Sequence, residues 1–190
     1  MWYYYATQNY EFVIYVFALV VLAFILVGVR KKLKLAHSLI WGFSLLGLLH
    51  LVAGSITIGD VVAYGWRIFP FYDGGGDFYI LKMDQVVHFC GYVLGSALFY
   101  ELLYNQLKPK YKVITASILA ILLATGFGVF NEIIEFFVYT IIQDNGVGGY
   151  YNTGLDLTFN LAGSIAGVLI SLRYGNGQKA TSSQKKSSPK

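Results

Sequence analysis

An all-α fold, a polytopic membrane bundle of five spanning helices with its N-terminus outside and its C-terminus inside, is predicted by three features of this sequence. Of the 190 residues, 56% are hydrophobic and only 13% are charged, and the mean hydropathy is +0.58, too apolar for a water-soluble domain of this size. Long apolar runs recur along the chain, and basic residues gather in alternate connections. No stretch of linker composition interrupts the chain before its tail, so the bundle reads as one domain.

Each element follows from length. A hydrocarbon layer of about 30 Å needs about 20 helical residues at 1.5 Å apiece, and runs of that kind lie near residues 11–29, 36–58, 84–104, 113–142 and 154–173. The fourth would extend about 45 Å as one straight helix, so it must tilt, kink near Gly126 and Gly128, or protrude. The opening residues lack the positive n-region and small-residue cleavage site of a signal peptide, so the first apolar run is expected in the mature protein. Residues 174–190 cannot bury a core and are expected to be a disordered basic tail.

Lysine and arginine orient the bundle, because cytoplasmic connections hold the positive charge. Arg30, Lys31, Lys32 and Lys34 follow the first run, Lys108, Lys110 and Lys112 precede the fourth, and Arg173, Lys179, Lys185, Lys186 and Lys190 follow the fifth. With five spans these 12 of 14 basic residues share one face, leaving Arg67 and Lys82 on the other. The acidic residues do the reverse: Asp60, Asp73, Asp77, Asp84, Asp144 and Asp156 fall in or beside outer loops, and Glu132 and Glu135 lie in the outer half of the fourth run, while Glu101 is near an inner end. Aromatic residues at 2–5 and at Trp66, Phe69, Phe71 and Tyr72 suit the headgroup zone. The net charge of +4 is therefore topological and implies no nucleic acid; the expected partner is membrane lipid, in the plasma or inner membrane.

Several chemistries are excluded by what the chain lacks. Cys90 is the single cysteine, so there is no intramolecular disulfide and no thiol metal cluster. There is no His-Glu-x-x-His pair, no Cys-x-x-Cys and no Gly-x-Ser-x-Gly elbow. Gly74, Gly75 and Gly76, flanked by Asp73 and Asp77, suit a flexible turn better than a phosphate cradle.

The informative residues are polar groups inside apolar runs, where a charge costs on the order of 2.5–3.5 kcal/mol by insertion scales. The third run carries Asp84 and His88, the fourth Asn131, Glu132 and Glu135, and the fifth Asp156 and Asn160. Spacings of three and four keep each set on one helical face. Small residues follow at matching offsets: Asp84, His88, Gly91, Gly95 echo Asp156, Asn160, Gly163, Gly167, and the reversed fourth run gives Glu135, Asn131, Gly128, Ala124. Small residues at four-residue spacing let helices approach closely in lipid, so these stripes are expected to pack together and converge their polar ends on one outer pocket. The alternative for the polar residues is a buried hydrogen-bond network that fixes helix register. His50 shares a face with Gly47 and Gly54, about 12 Å below the outer end by helical rise; it lines the pocket or is a satisfied core residue.

Asp84, Glu132, Glu135 and Asp156 supply carboxylates, His88 a ring nitrogen, and Asn131 and Asn160 amide oxygens, a donor set suited to a divalent metal. In this reading Asp84, His88 and Asp156 are the metal ligands, and Glu132 or Glu135 is a general base. Crowded, desolvated carboxylates stay protonated unless a positive charge relieves them, which a metal or Arg67 folded in from the 59–83 loop would do.

The motifs Asp84-x-x-x-His88-Phe89, Asn131-Glu132-Ile133-Ile134-Glu135-Phe136 and Thr153-x-x-Asp156 with Asn160-x-x-Gly163 resemble the VanZ-like superfamily, more closely its YjdF-type inner-membrane branch, over roughly residues 36–173. The resemblance implies an envelope protein in which Asp84, His88, Glu132, Glu135 and Asp156 are the characteristic positions, with Thr153 beside them. Glu135 stands where VanZ-like proteins in the narrower sense have a glutamine, and residues 143–153 lack their arginine, which weakens transfer of a glycopeptide-resistance role. Three functions stay open: a metal-dependent hydrolase or transferase acting on an envelope lipid, a non-catalytic protein that captures a cation, an antibiotic or a lipid headgroup, and ion transport, for which the sparsely charged inner halves give a poor path.

Overall fold

The computed structural model describes residues 10–33, 35–76, 78–141 and 149–186. Residues 2–5, Asp77, Asp144 and residues 187–190, which enter the sequence reading, lie outside them, as do the side chains of residues 29–34 and 175–186. Helix α1 is Tyr10–Leu33 and α2 is His37–Ser55. Helix α3 is Met83–Gln106, α4 is Lys112–Ile141 and α5 is Tyr150–Lys186. Helix α4 is continuous past Gly126 and Gly128. Helix α5 carries its backbone on to Lys186, beyond the apolar part that ends at Tyr174, where composition predicts a tail without structure.

The second run is shorter than the expected 36–58. Helix α2 stops at Ser55, and strands β1 (Thr57–Ile58) and β2 (Val61–Val62) pair antiparallel. Gly59, at φ +62°, takes the first central position of the two-residue turn, a conformation that favours glycine. A 3-10 turn at Ala63–Gly65 leads into β3 (Arg67–Asp73), which pairs antiparallel with β4 (Tyr79–Lys82). Gly75 and Gly76 both have positive φ in the connecting turn, and Asp73 Oδ1 accepts the Gly75 N–H at 3.0 Å. Pro70 is tolerated because a two-stranded ribbon leaves one edge of each strand unpaired. The helical reading thus misses two small hairpins, which cap one end of the bundle.

Helix α3 is central: its largest interface is with α5, then α4, while α2 packs on its other side and α1 rests on α2. One apolar cluster, Ala53, Tyr64 and Val87 with Val16, Leu46, Leu49 and Met83, joins α1, α2 and the 3-10 turn to α3. A second, around Tyr100, Ala116, Ala120 and Val168, locks α3, α4 and α5 at the end away from the hairpins.

The burial pattern is inverted relative to a water-soluble domain. Among the described residues, Gln85, Ser96, Asp156, Asn160 and Ser164 are the largest fully buried side chains, whereas Phe24, Trp41, Ile114, Leu122 and Phe130 are exposed. Such a surface suits hydrocarbon rather than water. Among the described residues, four helices are long and apolar enough to cross a membrane, His37–Ser55, Met83–Gln106, Lys112–Phe137 and Tyr150–Tyr174; in α1 the described apolar stretch is Leu19–Gly28.

Candidate metal centre

The site begins at the junction of β4 and α3. Leu81 has φ +83°, a left-handed conformation that costs a branched L-residue energy unless its surroundings hold it. Fully buried Gln85 does so: its Oε1 accepts the N–H groups of Leu81 at 2.7 Å and Lys82 at 3.1 Å, while its Nε2 donates to the Tyr79 carbonyl at 3.0 Å. The sharp junction turns the Lys82 side chain toward the helix ends. Its Nζ stands 3.5 Å from Asp84 Oδ2 and donates to Asn152 Oδ1. Asn152 Nδ2 in turn donates to Asp156 Oδ2 at 2.5 Å.

One turn deeper, α3, α4 and α5 converge. His88 Nδ1 lies 3.0 Å from Asn160 Oδ1; in the tautomer in which Nδ1 donates to this amide oxygen, Nε2 carries the lone pair. Nε2 faces Glu135 Oε1 at 3.8 Å, and Glu132 Oε1 is 3.7 Å from Nδ1. Asn131 Nδ2 donates to Glu135 Oε1 at 2.7 Å. Donor atoms of His88, Glu132, Glu135 and Asp156 all lie within 4.8 Å of one another. Asp156 is fully buried, and the other three are 4–6% exposed.

Both carboxylate oxygens of Glu132, Oδ1 of Asp156 and Nδ2 of Asn160 are buried yet make no hydrogen bond to any described residue. Buried acceptors without donors are costly, and three of them beside the His88 imidazole form a cluster that could hold a metal ion. The Asn160 bond to Nδ1 is the kind of supporting contact that orients a ligating histidine.

Close helix packing brings these groups together. A Cβ on Gly163 or Gly167 would overlap the backbone carbonyl of Phe89 or Val93, and one on Gly128 would come 2.8 Å from Asn160 Nδ2. These glycines behave as the small-residue stripe predicts. Gly91 meets only a Leu46 methyl at 3.5 Å, and Gly95 meets nothing within 4 Å, so the echo in α3 is one of sequence and not of contact: the carbonyls opposite Gly163 and Gly167 belong to Phe89 and Val93, beside the glycine positions.

Residues 1–177 match the model of a family described as "Predicted membrane protein (DUF2238)". The chain belongs to that family. With four long apolar helices it is a multi-pass membrane protein, placed in the plasma membrane. No curated protein and no solved structure matches the chain, and the family's description specifies no reaction, VanZ-like or otherwise.

The remaining sequence candidates sort by position. Asp84 borders the four-residue cluster, engaged by Lys82 and by the Gln85 N–H at 2.6 Å, while Glu132 and Glu135, read as bases, stand among the donors. Arg67 does not fold into the pocket. Its guanidinium donates to the Gly76 carbonyl at 2.6 Å, pairs with Asp73 at 3.8 Å and covers the Tyr79 ring at 4.8 Å, because the β3–β4 ribbon holds it there. His50 packs edge-on to Tyr64, ring centroids 5.2 Å apart, and Tyr64 belongs to the neighbouring apolar cluster. Thr153 is half-buried beside Asn152, with its backbone N–H bonded to the Gly149 carbonyl at 3.1 Å.

Sequence reasoning missed Lys82, Asn152 and Gln85. Asn152 precedes Asp156 by four residues, the spacing already used for Asp156 and Asn160, and an α5 starting at residue 150 instead of 154 would have included it. Lys82 carried a signal too, as one of two basic residues outside the positively charged connections.

Proposed function

We propose that this protein is a five-span envelope protein, N-terminus outside and C-terminus inside, that holds a divalent cation among His88, Glu132, Glu135 and Asp156 and uses it in hydrolysis or group transfer on an envelope lipid. The observation that carries the reading is the set of unpartnered oxygens on Glu132 and Asp156 beside the His88 imidazole. One imidazole and three carboxylates suit a borderline-to-hard ion such as Zn2+ or Mn2+. A bound ion would act as a Lewis acid, activating a water or polarising an ester.

The chain's own residues divide the work. His88, oriented by Asn160, presents Nε2; Glu135, oriented by Asn131, and Asp156, oriented by Asn152, supply oxygens. Glu132, whose Oε1 faces His88 Nδ1 at 3.7 Å and whose oxygens accept no hydrogen bond from any described residue, completes the donor set, and its second oxygen is the one available to take a proton. This revises the ligand set read from sequence: Glu132 and Glu135 join His88 and Asp156, and Asp84 leaves.

The basic connections support the orientation, which places the hairpins and the site on the outer side at headgroup depth. Kinship with the VanZ-like, YjdF-type proteins is part of the proposal and agrees with an envelope role; the single bundle with a basic cytoplasmic tail is too. A second reading, capture of a cation or headgroup without turnover, is favoured by the burial of all four donors, since catalytic metals keep an open position.

Metal-loaded wild type incubated with envelope lipid extract, with mass spectrometry of the lipids afterwards, tests the reaction. New cleavage or transfer products absent with Asp156→Ala support it. Unchanged lipids in the presence of a bound metal sink it in favour of capture.

A further inference from the structure

We infer that Lys82 is a tethered cation that fills the second half of a paired-cation site, so that its ammonium limits the centre to one metal. The inference rests on the proposed metal at His88, Glu132, Glu135 and Asp156.

The Lys82 and Asp84 side chains are only 12% and 9% exposed, and the ammonium lies between Asp84 Oδ2 and Asn152 Oδ1. A carboxylate oxygen and an amide oxygen are ligands that hard divalent ions take. Asp156 links the two positions. Its Oδ2 accepts from Asn152, the residue that Lys82 grips, while its fully buried Oδ1 has no hydrogen-bond partner and belongs to the four-residue group. With an ion at the four-residue group, the ammonium and the ion would be linked through Asn152 and Asp156 along one chain of contacts, an arrangement comparable to centres that use two metals.

Charge balance governs the effect of removing the ammonium. Four carboxylates, Asp84, Glu132, Glu135 and Asp156, converge here, and one divalent ion with one ammonium leaves them close to balance. Without Lys82 the Asp84 carboxylate and the Asn152 oxygen keep their buried places and lose their cation. A second divalent ion then balances the four carboxylates and gains two ready ligands, whereas an empty position leaves more buried negative charge uncompensated than in wild type. The lysine is also built in: Leu81 is held left-handed, and fully buried Gln85 bonds the backbone N–H groups of both Leu81 and Lys82, which fixes where this side chain starts.

The test loads full-length wild type, Lys82→Ala and Lys82→Met with Mn2+, removes free ion, and measures Mn2+ per chain by elemental analysis with electron paramagnetic resonance beside it. The expected result is one ion in wild type and two in each variant, with the spectrum broadened by the neighbouring spin and the second ion lost again in Lys82→Ala/Asp84→Asn. Variants that hold one ion or none, or a wild type that already holds two, overturn the inference while the metal reading stands. A wild type that holds none sinks the metal reading itself and this inference with it.

Discussion

Replacing Gly163 by alanine tests whether the α3–α5 contact builds the site. The new Cβ would overlap the Phe89 carbonyl oxygen and lie 3.1 Å from its carbon and 3.2 Å from its Cα, where carbon atoms prefer about 3.5–4.0 Å. These are backbone atoms and cannot swing aside, so α5 must retreat by about half an ångström or more. Phe89 adjoins His88, and Asn160 lies one turn from Gly163. The His88–Asn160 bond, 3.0 Å long, would be carried to or past the roughly 3.5 Å limit of a hydrogen bond. Overpacking of this kind costs about 1–3 kcal/mol, which for a chain of this length lowers the thermal midpoint by about 2–4 °C per kcal/mol. Loss of the bond that orients His88 should weaken metal binding by about 10–100-fold. Gly95→Ala is the control, since a Cβ there meets nothing within 4 Å. Thermal unfolding in detergent and metal titration of both variants give the comparison. If Gly163→Ala and Gly95→Ala behave alike, the close approach of α3 and α5 does not position the site.

Other substitutions separate the parts of the centre. Gly128→Ala pushes on the Asn160 amide, whose Nδ2 would lie 2.8 Å from the new Cβ; because a side chain can turn away, metal affinity should fall with less loss of thermal stability than in Gly163→Ala, as calorimetry and metal titration would register. Glu132→Gln sacrifices no hydrogen bond within the described structure but removes a charge, so metal retention after dialysis should drop on the order of tenfold or more while circular dichroism is unchanged. Arg67→Ala breaks contacts to Gly76, Asp73 and Tyr79 in the β3–β4 ribbon; the metal content should stay at the wild-type level, and a loss would return Arg67 to the site.

Much of this arrangement was legible because a membrane leaves few choices. Apolar runs of spanning length located α2 through α5, since backbone polar groups in lipid must be satisfied within a helix. Polar residues in those runs at spacings of three and four pointed inward for the same reason, and His88, Glu132, Glu135, Asp156 and Asn160 do meet. The less legible features depend on geometry between elements. Nothing local reveals that Gly163 faces the Phe89 carbonyl while Gly95 faces open space, because identical offsets on two helices fix each stripe only relative to its own axis. The diversion of Arg67 and the entry of Lys82 both stem from the hairpin between β3 and β4. Its β-branched and aromatic strands around a glycine turn were readable as such, but the sequence reading of this segment stops at its headgroup-zone aromatics and the flexible glycine turn.

The central claim, a metal held by donors from three helices, is tested most directly by elemental analysis of protein purified in detergent without chelator, beside His88→Ala, Glu132→Ala, Asp156→Ala and Arg67→Ala. The account predicts a near-stoichiometric divalent metal in wild type and Arg67→Ala, lost in the other three while their helical content persists. A wild type that stays metal-free after reloading with Zn2+ or Mn2+, or one whose metal survives all three ligand substitutions, would contradict it.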